Sequence, residues 1–180
     1  MHTGDTEARL IAAGVELLAE AGTDALSLRE IARRAGVSHG APRRYFPTHQ
    51  TLLAAIAREG YRKLGRLVAE TIGDSEADRR EALLALGRRY VDFARTEPGM
   101  FALMFRHDLL RGNSIGLRDE STPLFGVLER LLQPTAAAAA LWAALHGIAQ
   151  LWSWGTMQLV TGVDTPEPLL IAAVDAHLKG

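Results

Sequence analysis

The sequence of 180 residues contains no cysteine, and this absence excludes several kinds of site at once. Disulfides, thiolate metal centres and cysteine nucleophiles all require a sulfhydryl group. The six histidines do not stand at the spacing of a metal motif such as H-E-x-x-H. The sequence therefore predicts no metal site and no cofactor.

The motifs of common enzymes are missing as well. The chain contains no P-loop, no G-x-G-x-x-G and no G-x-S-x-G, the patterns that bind nucleotide phosphates or carry a nucleophilic serine. His107 and Asp108 are adjacent in sequence, and adjacent residues do not share a helix face. We therefore predict no catalytic residues and reject the hypothesis of an enzyme.

Strongly apolar stretches are short. Residues 136–155 form the longest one, but it is mostly alanine and is interrupted by His146, Gln150 and Ser153. A membrane span needs ~20 strongly apolar residues, so this pattern favours a buried helix. The beginning of the chain carries acids and no apolar run, which is not typical of a secretory signal. We predict a cytoplasmic protein without a membrane partner.

Helical periodicity is what the sequence does contain. Hydrophobic residues make up 48% of it, and they recur at spacings of three and four almost everywhere. Alternating strand patterns and Asn-Gly or Asp-Gly hairpin turns are absent. The predicted fold class is all-α, with a long helix from about Thr48 to Ile72 and a loop over residues 111–123.

Positive charge is concentrated in one region of an otherwise balanced chain. The formal net charge is −1. Residues 29–66 nevertheless hold nine Arg or Lys residues against two acidic ones, whereas residues 67–180 hold ten against fourteen. Such a block is either a footprint for phosphates or an ordinary solvated surface, and charge alone does not decide between them.

The pattern at residues 26–46 favours binding of nucleic-acid phosphates over an ordinary solvated surface. Ser27 stands three residues before Glu30 as in a capping box, and Gly36 suits the left-handed end of a short helix. Ser38 is an N-cap candidate for a second helix, which Pro42 would stiffen. This layout of helix, glycine turn and cationic helix is that of a helix-turn-helix.

The second helix of this pattern has the composition of a recognition helix. Small residues at Gly40 and Ala41 allow close approach to the major groove. Arg43 or Arg44 could form the bidentate contact to guanine, and Tyr45 could donate to a phosphate. The sequence therefore predicts double-stranded DNA as a partner.

Residues 26–57, including the F-P-x-x-x-x-L-L pattern that begins at Phe46, closely resemble the DNA-binding domain of TetR-type transcriptional regulators. The resemblance implies a three-helix DNA-binding domain over residues 1–50 and a helical regulatory and dimerisation domain over residues 51–180. It places ten residues at positions that usually meet DNA: Ser27, Arg29, Ser38, His39, Gly40, Ala41, Arg43, Arg44, Tyr45 and His49.

Three positions depart from the common family pattern. Arg43 stands where tyrosine is usual, so we expect a changed sequence preference. His49 replaces a common lysine, which predicts a weaker or pH-dependent phosphate contact. Pro42 replaces a common core leucine, which is compatible with a side chain that faces inward.

The second part of the chain resembles the regulatory domain of a subset of the family, with Trp142, His146 and Gly147 in a Trp-x-x-x-His-Gly arrangement. Apolar pockets with a few polar groups bind small ligands, although such stripes also form solid cores. We predict a small, largely apolar effector contacting Phe101, Met104, Phe105, Trp142, His146, Gln150 and Trp154.

The resemblance also implies a homodimer formed by helices near residues 136–160 and 167–180. A dimer matches two recognition helices to a near-palindromic operator. The predicted function is a ligand-responsive transcriptional regulator, most often a repressor, that acts at the nucleoid. The alternative is a DNA-binding regulator with a solid core that is controlled by a protein partner or is constitutive.

Overall fold

The computed structural model describes residues 3–73, 78–112 and 115–178. Within those ranges the chain forms eleven α-helices and no strand, as the periodicity predicts. A short 3-10 helix, Thr23–Ala25, follows the first of them. In chain order the α-helices are α1 (Thr3–Ala21), α2 (Leu28–Arg34), α3 (Ala41–Tyr45), α4 (His49–Gly73), α5 (Arg79–Thr96), α6 (Pro98–Met104), α7 (His107–Gly112), α8 (Leu117–Leu131), α9 (Thr135–Ser153), α10 (Thr156–Thr161) and α11 (Glu167–Leu178).

The chain divides into two compact units. Unit 1 comprises Met1–Arg62 and Glu97–Glu120, and unit 2 comprises Lys63–Thr96 and Ser121–Gly180. Helices α4 and α8 each contribute residues to both. The predicted boundary near residue 50 stays a prediction.

Unit 1 is built around α1, which packs on α2, α3 and α6. Its core consists of fully buried aliphatic and aromatic side chains, among them Leu10, Ile31, Leu52, Ile56 and Phe101. Gly14 allows α1 and α4 to approach closely, because a Cβ atom at this position would lie 2.2 Å from Ile56 Cδ1.

Unit 2 is centred on α5, α9 and α11, which all pack against one another. Leu83, Leu141 and Leu170 are completely buried. A Cβ atom on Gly87 of α5 would lie 3.2 Å from side chains of both Leu145 and Leu170. The three helices therefore meet closely at this glycine.

Two sequence-based boundaries need correction. The loop predicted over residues 111–123 is helical at residues 111–112, which end α7, and again from Leu117 onward. Asp119 and Glu120 lie in the first turn of α8, where carboxylates favour helix formation, and the helix includes Pro123. The single helix predicted near 136–160 is broken by Gly155, whose φ of 73° separates α9 from α10. The sequence also predicts an N-cap for the next helix at Asp74 or Ser75, and both positions lie outside the described residues.

The prediction for α4 is confirmed to within one residue at each end. Among the described residues, no single helix is long and apolar enough to cross a membrane. Only α8 and α9 taken together reach that length and apolarity, and the pair is bent by 116°.

Candidate DNA-binding interface and regulatory region

Helix α2 begins at the predicted cap. Ser27 Oγ accepts a hydrogen bond from the backbone N–H of Glu30 at 3.2 Å, which satisfies one of the free amides of the first turn. The reciprocal half of the capping box does not form. The Glu30 carboxylate instead accepts hydrogen bonds from Arg33 on the exposed face, so Ser27 alone caps this helix.

The turn after α2 is a Schellman motif centred on Gly36, which has a φ of 64°. The N–H of Gly36 donates to Arg33 O at 3.1 Å and the N–H of Val37 donates to Ala32 O at 3.0 Å, the two bonds that define this motif. Arg9 of α1 donates to the carbonyl oxygens of Ala35 and Gly36. Four carbonyl groups at the end of α2 and in the turn, those of Ala32, Arg33, Ala35 and Gly36, thereby accept hydrogen bonds from defined donors.

Helix α3 is shorter than predicted, because it begins at Ala41 with Gly40 at the N-cap position and no side-chain cap. The cap predicted at Ser38 is therefore wrong, although its carbonyl oxygen accepts from Ala41 N–H at 2.9 Å. Pro42 lies in the first turn and is buried together with Phe46. Because residues four apart share a helix face, the sequence predicts that Pro42 and Phe46 both face inward, and their burial confirms this.

The ten residues predicted to meet DNA differ in exposure. Eight of them are exposed: Ser27, Arg29, Ser38, His39, Gly40, Arg43, Arg44 and His49. Tyr45 is half-buried, and Ala41 is only 9% exposed. The Ala41 methyl group belongs to the inner face of α3 beside Pro42, so the side chain of Ala41 is the least accessible of the ten.

The arginines of this region fall into two groups. Arg33 is paired with Glu30, and Arg34 is paired with Glu20 and lies 3.6 Å from Glu16. The hydrogen bonds from these arginines hold the pKa of both Glu30 and Glu20 below the usual value for glutamate. These two cations are therefore already neutralised within the protein.

The other group has no such neutralisation. Arg29, Arg43 and Arg44 are exposed and have neither an ion pair nor a hydrogen bond within the described part of the chain. On α2 and α3, the positive block seen in the sequence therefore consists of two arginines paired with carboxylates and three uncompensated guanidinium groups. The spacing of Glu30 and Arg33 was a signal for one of the pairs, but the pairing of Arg34 with α1 had no local signal.

His49 occupies the first turn of α4. The sequence predicts that Thr48, which follows Pro47, caps this helix. Thr48 Oγ1 accepts from Thr51 N–H at 3.1 Å, which confirms this cap. The Nε2 atom of His49 lies at hydrogen-bond distance from Leu26 O, and it must be the donor because a carbonyl oxygen only accepts. Only Nδ1 of this ring remains for another partner.

Three of the predicted effector contacts lie in unit 1. Phe101 and Met104 are at most 1% exposed, and the rings of Phe101 and Phe105 are 5.0 Å apart. Tyr61 of α4 donates its hydroxyl hydrogen to Met104 O at 2.7 Å, and burial raises the pKa of Tyr61. The predicted cluster therefore forms and is bonded to α4.

Two of the remaining predicted contacts meet in unit 2. The rings of Trp142 and His146 are 6.0 Å apart, and Trp142 also lies edge-on to Phe125 at 6.3 Å. Tyr90 Oη and His146 Nδ1 form a hydrogen bond of 2.8 Å. Burial lowers the pKa of His146, so the imidazole is neutral at pH 7. No local sequence pattern predicted the contribution of Phe125.

The last two predicted contacts are placed differently. Gln150 is partly exposed, and its carbonyl oxygen accepts from Ser153 Oγ at 2.9 Å. Trp154 is 68% exposed and follows the last residue of α9. Within the described ranges, no group of three or more His, Asp or Glu side chains is arranged to hold a metal ion.

Comparison with known proteins defines the class of this one. Residues 10–56 match the tetR family of bacterial regulatory proteins, and residues 83–176 match a tetracyclin repressor-like C-terminal domain. The HTH-type transcriptional repressor Rv3405c of Mycobacterium tuberculosis is 30% identical, with 98% of this chain and 90% of the relative covered.

Solved structures share the fold. A protein of unknown function from Rhodococcus sp. RHA1 has a TM-score of 0.81 and 28% identity, covering 99% of this chain and 96% of that one. The multidrug binding protein EbrR in complex with ethidium has a TM-score of 0.71 and 24% identity, covering 96% and 98%.

The chain belongs to the TetR family of transcriptional regulators. It is a DNA-binding regulator with a helical C-terminal domain of the kind that binds ligands in this family. Members of the family bind DNA, function as dimers and are regulators rather than enzymes.

Proposed function

We propose that this protein is a dimeric repressor that binds a near-palindromic operator and is released by a small, largely apolar effector. Its site of action is the nucleoid in the cytoplasm. The observation that carries the DNA-binding part of the proposal is the set of three uncompensated guanidinium groups on α2 and α3.

The arrangement of these groups suits a major groove. Arg43 and Arg44 lie on α3 and Arg29 on α2, on either side of the rigid Gly36 turn. An unpaired arginine can form two parallel hydrogen bonds with guanine, or one with a phosphate. An arginine that is already paired with a carboxylate must first lose that partner, so Arg33 and Arg34 are less suited to the same task.

A gel-shift titration tests the recognition helix. The operator is first selected from random DNA with the wild-type protein. We expect the Arg43→Ala/Arg44→Ala variant to bind it roughly 100-fold more weakly, and to lose about one unit of salt slope for each phosphate contact removed. The matched control is Arg79→Ala/Arg89→Ala, which removes two exposed arginines of α5. Wild-type affinity in the first variant would contradict the proposal.

The outer face of α9 supports the dimer. Ala136, Ala140 and Ala143 are exposed, and Gly147 follows on the same face. A Cβ atom on Gly147 would meet nothing within 4 Å, so this face is open in the single chain. Small residues permit close approach of helices, and Ile171 of α11, 36% exposed, adds an aliphatic side chain that a partner can cover.

The aromatic cluster of unit 2 supports an apolar effector. Trp142 is 40% exposed, so part of its side chain is accessible to a ligand from solvent. The neutral His146 and the Tyr90 hydroxyl add polar groups that can orient such a ligand. The fold neighbour EbrR, crystallised with ethidium, shows that this fold accommodates an organic ligand.

Thermal unfolding in the presence of diverse hydrophobic compounds tests effector binding. A ligand at 100 times its Kd stabilises the folded protein by ~2.7 kcal/mol, and we expect Trp142→Ala to abolish the stabilisation. The effector must also lower operator affinity. If no compound in a broad panel stabilises the protein, the alternative of a solid core under the control of a protein partner is favoured. The full burial of Phe101 and Met104 is the observation consistent with that alternative.

A further inference from the structure

The most exposed large apolar side chains of the described residues lie close together in sequence. Trp154 is 68% exposed, Leu159 87% and Val160 75%. We call these three residues the α10 patch. Scattered exposed apolar residues are ordinary, but a contiguous group marks an interaction surface.

The conformation of α10 is well defined. Gly155 precedes the helix with a φ of 73° and Gly162 ends it with a φ of 69°, so a left-handed residue fixes the chain direction at each end. Gln158 faces α9, with its Nε2 atom 3.5 Å from Trp152 O. Leu159 and Val160 follow Gln158 directly and project away from α9, as their exposure shows. The α10 patch is therefore presented outward by a fixed element.

Trp154 continues the open face of α9. Ala136 and Trp154 are eighteen residues apart, which is five complete helical turns. The two residues therefore lie on the same line along the helix, with Ala143 and Gly147 between them. This face of α9 begins with small residues and ends with the bulky side chain of Trp154, and Leu159 and Val160 are exposed on α10, the next helix in the chain, which packs on α9.

The charge pattern indicates which partner fits this surface. Residues 131–163 contain no Arg, Lys, Asp or Glu, so an anionic or cationic partner would find no counter-charge there. In a two-fold interface the same patch occurs on both sides, and like charges would face each other near the axis. An uncharged face avoids this repulsion, which favours a second copy of this chain as the occupant.

We propose that the α10 patch contacts the partner subunit and extends the dimer contact made by α9 and α11. We call this additional contact the clasp. The proposal rests on the dimer proposed above. It assigns Trp154 to the subunit interface and removes it from the predicted effector contacts. Tryptophan is among the residues that carry most binding free energy at interfaces, and Leu159 and Val160 add two exposed aliphatic side chains.

Sedimentation over a dilution series measures the dimer dissociation constant. We expect Leu159→Glu/Val160→Glu to raise it by at least roughly 100-fold, because two apolar side chains lose their contacts and two charges enter the interface. The matched control Thr161→Glu/Thr165→Glu adds the same charges at exposed polar positions nearby and should leave the constant within about threefold of wild type. Circular dichroism checks that both variants retain wild-type helix content.

A third variant separates the clasp from the dimer itself. Gly147→Gln places a larger side chain on the open face of α9 and should also weaken the dimer. If Gly147→Gln dissociates the dimer and Leu159→Glu/Val160→Glu does not, the dimer face stands and the clasp is wrong. If the wild-type protein is monomeric at every concentration, both proposals fail.

Two other outcomes would also overturn the clasp. The patch variant could leave the dimer intact and abolish only larger assemblies, which would place the patch between dimers. Alternatively, wild-type protein but not the patch variant could float with phosphatidylcholine vesicles while both stay dimeric, which would assign the patch to a lipid surface. The proposal predicts neither behaviour.

Discussion

Arg29, Arg43 and Arg44 of α2 and α3 are used in the opposite way from Arg80 and Arg88 of α5. Arg80 is held by Asp175 at 2.6 Å, and Arg88 contacts both Glu81 and Glu167 at 2.6 Å. The pairs with Asp175 and Glu167 join α5 to α11 within unit 2, whereas Glu81 lies on α5 itself. On α2 and α3, by contrast, three arginines carry no carboxylate partner among the described residues.

The difference separates structural charge from charge kept for a partner. A paired guanidinium group fixes two elements relative to each other and adds little to the external field. An unpaired one remains hydrated and contributes its full charge to the attraction of phosphates. The formal net charge of −1 conceals this, because it sums over both uses. The comparison yields three predictions, which test DNA contact, the positioning of the helix-turn-helix, and structural pairing.

The largest expected effect is on DNA affinity. Arg43→Glu/Arg44→Glu should weaken operator binding by at least about 1,000-fold, since two attractive contacts become repulsive. The free energy of unfolding should change by less than about 0.5 kcal/mol, because both side chains are exposed. Fluorescence anisotropy and urea unfolding measure the two quantities. A large loss of stability would mean that these arginines, like those of α5, hold the fold together.

An intermediate effect is expected at Arg9, which bonds the end of α2 but is not among the predicted DNA contacts. Arg9→Met should lower operator affinity about tenfold, because the Gly36 turn loses its donor and α3 is less well oriented. The dependence of affinity on salt should keep its wild-type slope, whereas Arg43→Ala reduces it if Arg43 contacts a phosphate. Arg9→Lys should recover part of the affinity. A reduced slope in Arg9→Met would show that Arg9 touches DNA itself.

The smallest effect is expected at Arg88. Its side chain is 42% exposed, so Arg88→Met should lower the free energy of unfolding by under about 1 kcal/mol at pH 7. The hydrogen bond from Arg88 lowers the pKa of Glu167 in the folded protein. A carboxyl group whose pKa is lowered by folding stabilises the folded state at pH values above its unfolded pKa, and this stabilisation is lost as the pH falls through its folded pKa. The difference between wild type and variant should therefore shrink on acidification below about pH 4.

Urea unfolding at pH 7 and at pH 3 measures this change. Arg89→Met is the matched control, because Arg89 is the neighbouring exposed arginine and has no ion-pair partner in the described ranges. A difference that grows on acidification would contradict the assigned role of the Arg88 pairs.

Local signals were sufficient to predict most of the helix-turn-helix. Ser27, Gly36 and Thr48 act through backbone groups within a few residues of themselves, so their roles can be inferred from short segments. Pro42 and Phe46 were placed correctly because they lie one turn apart. The predicted start of α3 was wrong because the serine hydroxyl does not form the expected cap. Ser38 instead accepts the hydrogen bond from Ala41 N–H through its backbone carbonyl oxygen.

Contacts between distant segments could not be predicted in the same way. The pairing of Arg34 with Glu20 depends on how α1 crosses α2, and the contact of Trp142 with Phe125 depends on the packing of α8 against α9. Trp154 was grouped with Trp142 because both are aromatic and close in sequence. Their orientations around α9 differ, and Trp154 lies on the open face.

The brevity of α3 limits how much sequence the protein can read. Five helical residues rise about 7.5 Å, which corresponds to roughly two base pairs at 3.4 Å each. Few side chains can therefore reach base edges in one half-site. For the dimer and near-palindromic operator proposed above, the distance between the two half-sites and the bendability of the intervening DNA then add to the selectivity among the many sites of a chromosome. We expect operators of this regulator to tolerate many base changes but few changes of length.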